Sequence, residues 1–266
     1  MGKIIGIISL KGGVGKTTVV SALGGALSRL GKKVLLVDGN LSSPNLGLHL
    51  GIVDPGKTIH DVLNRNAKVR ESVQSQPYPG FDVLPASIFK NIEVNPLKLK
   101  DHLKNIKRSY DIIILDSSPS LNEETLGVML ASDEIFVVTT PDHPTMSTSL
   151  KAAKLAKQRG TPIAGIIVNK VHKKDFELST DNIESTLEIP VLAVLPHDLN
   201  VLRALSVMEP STIYKPNSEG SEELMKLAAV LSGEKYSPGG FLNFFRNLYL
   251  SKQDVNREIF YKSVFK

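Results

Sequence analysis

Two lysines, three glycines and a pair of hydroxyls are crowded into Lys11-Gly12-Gly13-Val14-Gly15-Lys16-Thr17-Thr18, directly after the apolar run Ile4 to Ile8. A phosphate group needs many donors at close range. Glycines let backbone N–H groups turn inward, and a helix that starts behind the loop adds the partial positive charge of its N-terminus. In such a loop Gly12, Gly13, Val14 and Gly15 form the cradle. Lys16 reaches the β- and γ-phosphates, and Thr17, followed by Thr18, offers a hydroxyl to Mg²⁺.

Two carboxylates fit the same chemistry. Asp38 closes the run Val34 to Val37, and Asp116 closes Ile112 to Leu115. Acids at the carboxyl ends of parallel strands, near a phosphate loop, suit Mg²⁺ held through water. Asp116, behind four apolar residues, is the better candidate for this task.

These groups require a scaffold of strands and helices. Apolar runs at Ile4–Ile8, Val34–Val37, Asp82–Leu84, Ile112–Leu115, Ile135–Thr139, Ile163–Val168 and Val191–Val194 alternate with helical patterns. Those patterns fall at Thr17–Leu30, Ile59–Asn64, Leu97–Ile106, Glu123–Leu130, Ser147–Arg159, Ile183–Leu187 and Glu222–Leu231. Alternation of this kind predicts βαβ units and a mostly parallel central sheet flanked by helices, a three-layer α/β fold. One domain is expected over 1–232, a linker over 233–240 and an amphipathic tail over 241–266.

With no cysteine in 266 residues, disulfides, iron–sulfur ligation and thiol catalysis are excluded, and a reducing cytoplasm is the expected home. The six histidines do not cluster, which argues against a zinc site. No run approaches the ~20 apolar residues that span a bilayer, and the apolar N-terminal stretch is only a strand long. The formal net charge of +5 permits an anionic partner.

The loop departs from the standard Walker A pattern, because Leu10 stands where the first glycine belongs. What remains, Lys-Gly-Gly-x-Gly-Lys-Thr, resembles the deviant Walker A motif of the MinD/ParA family of ATPases. Leu41 to Leu48 and Phe81 to Ala86 resemble MinD segments, as do Leu195 to Asp198, Val201 to Ala204 and Glu209-Pro210. The resemblance spans nearly all of residues 3 to 231 and leans toward MinD. It implies a P-loop NTPase fold, ATP or ADP with Mg²⁺, and a sandwich homodimer in the ATP state. Lys11 takes the place of the lysine that reaches the partner's phosphates, Asn169 reads adenine, and Pro196 and Asp198 lie beside the base. Asp38 and Asp116 serve the metal together with Thr17.

One position departs from the family. MinD proteins carry Asp-x-Asp after the second strand, whereas this chain reads Asp38-Gly39-Asn40. An amide orients water through its carbonyl but takes no proton. Slow hydrolysis is the expectation, with Lys11, Lys16 and Asn40 as the catalytic set.

The tail carries its own pattern. Phe241, Phe244, Phe245 and Leu248 share one helical face, with Leu242 beside them, and from Gly239 onward five bases face two acids. A basic aromatic helix after a Pro-Gly-Gly joint fits an anionic membrane surface, and its opening residues resemble the membrane-targeting sequence of MinD. The resemblance therefore implies a cytoplasmic ATPase held peripherally at the inner face of the membrane. It would regulate division or the positioning of cellular machinery and answer to an activating protein. A ParA-like partitioning factor that binds DNA nonspecifically is the alternative, as is a weakly hydrolysing adaptor that sets flagellum or pilus number. Little positive charge is left outside the tail to favour nucleic acid.

Overall fold

The computed structural model describes residues 2–78, 80–90, 93–234 and 251–265. In chain order its elements are β1 (Lys3–Ile8), α1 (Lys16–Arg29), β2 (Val34–Asp38), α2 (Leu46–His49), α3 (Ile59–Leu63), α4 (Val69–Ser72), β3 (Gln74–Ser75), β4 (Phe81–Leu84), α5 (Leu99–Lys104) and β5 (Ile112–Asp116). There follow α6 (Glu123–Ala131), β6 (Glu134–Thr139), α7 (His143–Gln158), β7 (Ile163–Val171), α8 (Thr180–Leu187), β8 (Val191–Pro196), α9 (Leu199–Ser206), α10 (Ser211–Tyr214), α11 (Glu219–Leu231) and α12 (Lys252–Phe265).

The strands form one sheet in the order β3-β4-β2-β5-β1-β6-β7-β8. Every pairing is parallel except β3 with β4, a short antiparallel edge that the sequence pattern did not reveal. Alternate residues of the central strands feed two separate cores. Ile5 and Ile7 of β1, Leu36 of β2 and Ile114 of β5 pack with Val19, Leu23 and Leu27 of α1 and with Leu224 and Leu227 of α11. Ile4, Ile8, Leu35 and Ile113 face the other way, against α3, α5, α6 and α7. Continuously apolar strands are the signature of a sheet covered on both faces. Each buried aliphatic side chain contributes about 1.5–3 kcal/mol. The three on α1 therefore fix that helix firmly, with its N-terminus at the carboxyl end of β1.

α9 and α10 are helices that no run of core residues announced: of α9 only Ala204 is buried. The larger difference lies at the C-terminus. Residues 241–250, which include Phe241, Leu242, Phe244, Phe245 and Leu248, lie outside the described residues. Residues 252–265, expected in the same appendage, form α12 and dock on the body. Phe260 enters the core beside Phe136. Arg257, only 3% exposed, donates to the Leu192 carbonyl at 2.7 Å and pairs with Glu223 at 2.7 Å and with Asp254 at 2.5 Å. Asn256 donates to the Val191 carbonyl at 2.9 Å. β8 is an edge strand, and these two side chains cap carbonyls that would otherwise invite another strand.

Candidate functional site

The loop between β1 and α1 turns on two glycines, Gly13 at φ 77° and Gly15 at φ 92°, where side chains are strained. Space matters too at Gly15, because an added Cβ would sit 2.4 Å from Asn169 Nδ2. α1 starts directly behind Gly15. Its first turn carries no acidic residue and its N-cap makes no side-chain bond. The first N–H groups of a helix have no partner within it, so this end of α1 is open to an outside anion.

Beneath the loop lie the two acids. Asp38 and Asp116 end neighbouring strands in register and are 0% and 1% exposed. Gly39 permits that closeness: a Cβ there would lie 2.6 Å from the Asp116 carbonyl oxygen. Asp38 accepts backbone N–H groups from Asn40, Asn45 and Leu46 at 3.0–3.2 Å. Asp116 Oδ2 accepts from Thr17 Oγ1 at 2.6 Å. Burial, and then the charge of Asp116, push the Asp38 carboxyl up, and burial does the same to Asp116 against the pull of Thr17 and Lys16. Burial lowers the Lys16 ammonium, partly offset by Asp116.

Two carboxyl groups thus share a buried site with one lysine. Asp116 Oδ1 is buried and makes no hydrogen bond among the described residues. That orphan oxygen beside a threonine hydroxyl fits a hydrated cation. No group of three or more His, Cys, Asp or Glu side chains that could hold a metal forms among the described residues. Thr17 and Asp116 suit Mg²⁺, which keeps several waters and relies on one or two protein oxygens plus phosphate.

Asn40 comes next to the loop. Its Nδ2 donates to the Ser43 carbonyl at 2.5 Å, and since that carbonyl can only accept, the amide orientation is fixed. Its Oδ1 is buried without a partner among the described residues.

A cavity of about 410 Å³ opens over the loop. Gly12, Gly13, Gly15, Lys16, Thr17 and Thr18 form one end of it, with Asn40 alongside. Asn169, Pro196 and Asp198 also line it, with the apolar Leu202 and Leu205. Val14 shows the cavity no side chain, because that side chain sits in the core. Asn169 is already engaged: its Nδ2 donates to the Val14 carbonyl at 2.8 Å, so one of the donors expected to read a base holds the loop instead. Asp198 caps α9, accepting from Asn200 N at 2.8 Å.

Lys11 stands apart from this cavity. Its ammonium lies 2.6 Å from Thr145 Oγ1 and 3.2 Å from Asp142 Oδ1, at the start of α7. Sequence reasoning missed these partners. The Asp142-x-x-Thr145 spacing marks a helix start, but nothing in it names Lys11. It also missed Leu202 and Leu205, and Lys170, which touches the loop directly.

A glycine loop on a fixed helix end, over paired strand-end acids in a three-layer parallel sheet, defines a P-loop NTPase. Comparison with known proteins narrows this. A family model described as an AAA domain matches residues 2–157, and a second of the same description matches 117–204. The chain is 37% identical over 234 residues to an ATP-binding protein of Methanocaldococcus jannaschii, covering 87% of this chain and 88% of that one. It is 32% identical over 243 residues to the septum site-determining protein MinD of Thermotoga maritima, covering 88% and 89%. MinD of Pyrococcus horikoshii, solved in complex with Mg-ADP, superposes with a TM-score of 0.81 at 34% identity, over 86% of this chain and 95% of that chain. The chain belongs to the MinD/ParA family of ATPases, on its MinD-like side. Among the described residues no helix is long and apolar enough to cross a membrane.

Proposed function

We propose that this chain binds ATP and Mg²⁺ in the cavity over the loop, hydrolyses ATP slowly, and uses the ATP state to dimerise at a membrane surface. One observation carries the reading: the uncapped N-terminus of α1 faces a cavity above two fully buried carboxylates, one with an unpartnered oxygen. The Mg-ADP bound to the Pyrococcus horikoshii relative supports it.

In this reading the backbone of Gly12 to Gly15 and the first turn of α1 hold the phosphates, and Lys16 neutralises their charge. Thr17 and, through water, Asp116 and Asp38 would hold Mg²⁺, which would supply positive charge against the phosphates. Pro196, Leu202 and Leu205 enclose the base, and the Asn169 carbonyl and Asp198 remain to read its edge. Asn40 turns its free Oδ1 toward the attacking water and accepts a hydrogen bond from it. Since an amide orients but does not remove a proton, hydrolysis is slow. Lys11 leaves Asp142 and Thr145 to reach the phosphates of a second copy. There its charge stabilises both the dimer and phosphoryl transfer.

Two tails on one dimer bind a surface far better than one, by about 10²–10⁴ when both engage. Nucleotide state then controls residence at an anionic membrane on the cytoplasmic side. Such an ATPase acts as a spatial regulator of division or of cellular machinery, released by an activating protein. A second reading, nonspecific binding of DNA, gains from one feature. Lys98, Lys100, Lys104, Lys107 and Arg108 crowd into 96–108 against the single acid Asp101.

Size-exclusion chromatography and liposome sedimentation of one sample with ADP, ATP and a non-hydrolysable analogue test the proposal. Dimers that pellet with anionic liposomes only in the ATP states are expected. A monomer in every state overturns it, and salt-sensitive duplex binding without pelleting favours the second reading.

A further inference from the structure

β7 ends in Val168-Asn169-Lys170-Val171. Adjacent side chains of an extended strand point to opposite faces, so Asn169 and Lys170 should not reach the same target. Here they do. Lys170 lies in the left-handed region at φ 58°, which a side chain seldom adopts. The register between β7 and β8 shifts between Val168 and Val171. Irregularities of this kind re-aim side chains beside functional sites. The result is a pair of hydrogen bonds to consecutive loop carbonyls: Asn169 Nδ2 to Val14 at 2.8 Å and Lys170 Nζ to Gly13 at 2.7 Å.

A loop that turns its N–H groups toward a phosphate turns carbonyls away from it, and those carbonyls need partners. Lys170 makes no ion pair among the described residues, unlike its left-handed neighbour Lys173, which pairs with Glu219 at 2.6 Å. Its charge goes to the loop instead.

We propose that Lys170 is a positioning residue that, together with Asn169, straps the phosphate loop in its receiving conformation before nucleotide arrives. The strap need not touch the nucleotide. It acts by removing loop disorder that binding would otherwise have to overcome. The left-handed backbone at Lys170 is tolerated because it delivers both donors to one side.

The test uses the full chain. In nucleotide-free protein, Lys170→Met should speed amide hydrogen exchange at Gly12 to Lys16 about tenfold and weaken Mg-ADP binding by a similar factor, the scale of one lost charge-assisted hydrogen bond. Lys170→Arg should restore most of both. Lys170→Gly relieves the backbone, so its thermal midpoint should equal or exceed that of wild type while its affinity falls with that of the Met variant. A purely structural lysine would not separate stability from affinity in this way. Wild-type exchange in the Met variant, or wild-type affinity in the Gly variant, overturns the strap. The affinity arm rests on the nucleotide reading above. Wild-type protein that binds no Mg-ADP would sink that reading and leave the strap to be judged on exchange.

Discussion

Lys11, the residue expected to serve a second copy's nucleotide, is held within its own chain by Asp142, 3.2 Å away and itself the N-cap of α7. Both side chains are about 40% exposed. A pair so open to water is worth about 0.2–1 kcal/mol, which a desolvated γ-phosphate easily outweighs. In the proposed dimer, such a contact is weak enough to be given up. Asp142→Asn keeps the cap, since asparagine serves that position well, but removes the charge. Sedimentation velocity with ATP should show dimerisation strengthened by up to about fivefold, the scale of such a pair. An unchanged dimer constant would mean that the contact does not oppose dimerisation.

The same aspartate should leave a mark at low pH. Burial raises its pKa, but hydrogen bonds from Thr140, Thr145 and Lys11 outweigh it and hold the carboxyl at about 2, against an ordinary 3.8. A folded-state pKa below the unfolded one adds stability above the unfolded value and loses it as pH falls through the folded one. The contribution is thus full above pH ~4 and vanishes toward pH ~2. Urea midpoints should fall less steeply across that window in Asp142→Asn than in wild type. Parallel acid limbs would remove this account.

Asn40 is the natural target for turnover. Its Nδ2 is tied to Ser43 and its Oδ1 is buried without a partner among the described residues; in the proposed function that carbonyl orients water without supplying a base. Asn40→Asp should raise ATP turnover about tenfold, modest for a general base because the transition state is loose and positioning dominates. A rate no higher than wild type shows that Asn40 does not limit the reaction.

Asp116 carries the metal argument. Buried beside Asp38 with one oxygen unpartnered, it burdens the nucleotide-free protein. Asp116→Asn removes a charge from that pair. The metal-free thermal midpoint should hold or rise by about 2–4 °C, a gain near 1 kcal/mol, and Mg²⁺ should no longer enhance nucleotide binding. A lower midpoint with the Mg²⁺ effect intact would place the ion elsewhere.

At the opposite edge, Arg257→Met tests the docking of α12. It leaves Glu223 and Asp254 to share Lys226, 3.6 and 3.7 Å away, and uncaps the Leu192 carbonyl. Breaking a buried pair from one side costs about 3–5 kcal/mol, or roughly 6–20 °C in a chain of this size. Adding Glu223→Gln should recover part of the loss, because it withdraws one of two acids left to a single lysine. A shift under about 2 °C, the scale of a surface change, would mean that α12 adds little to the fold.

Much of this architecture was legible in the chain. The strands Ile4–Ile8 and Ile112–Leu115 could be read because burial on both faces demands unbroken apolar runs. The Lys11–Thr18 segment could be read because its glycines accept the positive φ of Gly13 and Gly15, where side chains are strained. β3, α9 and α10 left almost no trace, being short or little buried. Residues 252–265 looked like an extension of the tail, since their apolar residues, Ile259, Phe260, Val264 and Phe265, name no partner.

The sequence by itself determined the βαβ order, the phosphate loop, the two strand-end acids and the substitution at Asn40, all local consequences of periodicity and residue type. The tertiary structure decided who touches whom. It paired Lys11 with Asp142, placed the Asp38 and Asp116 carboxyls in one buried site, turned Asn169 and Lys170 onto the loop, and folded Arg257 against Glu223. Those pairings join residues from about 30 to more than 150 positions apart in the chain. They depend on strand order, on a left-handed kink and on desolvation, none of which is encoded in any single segment.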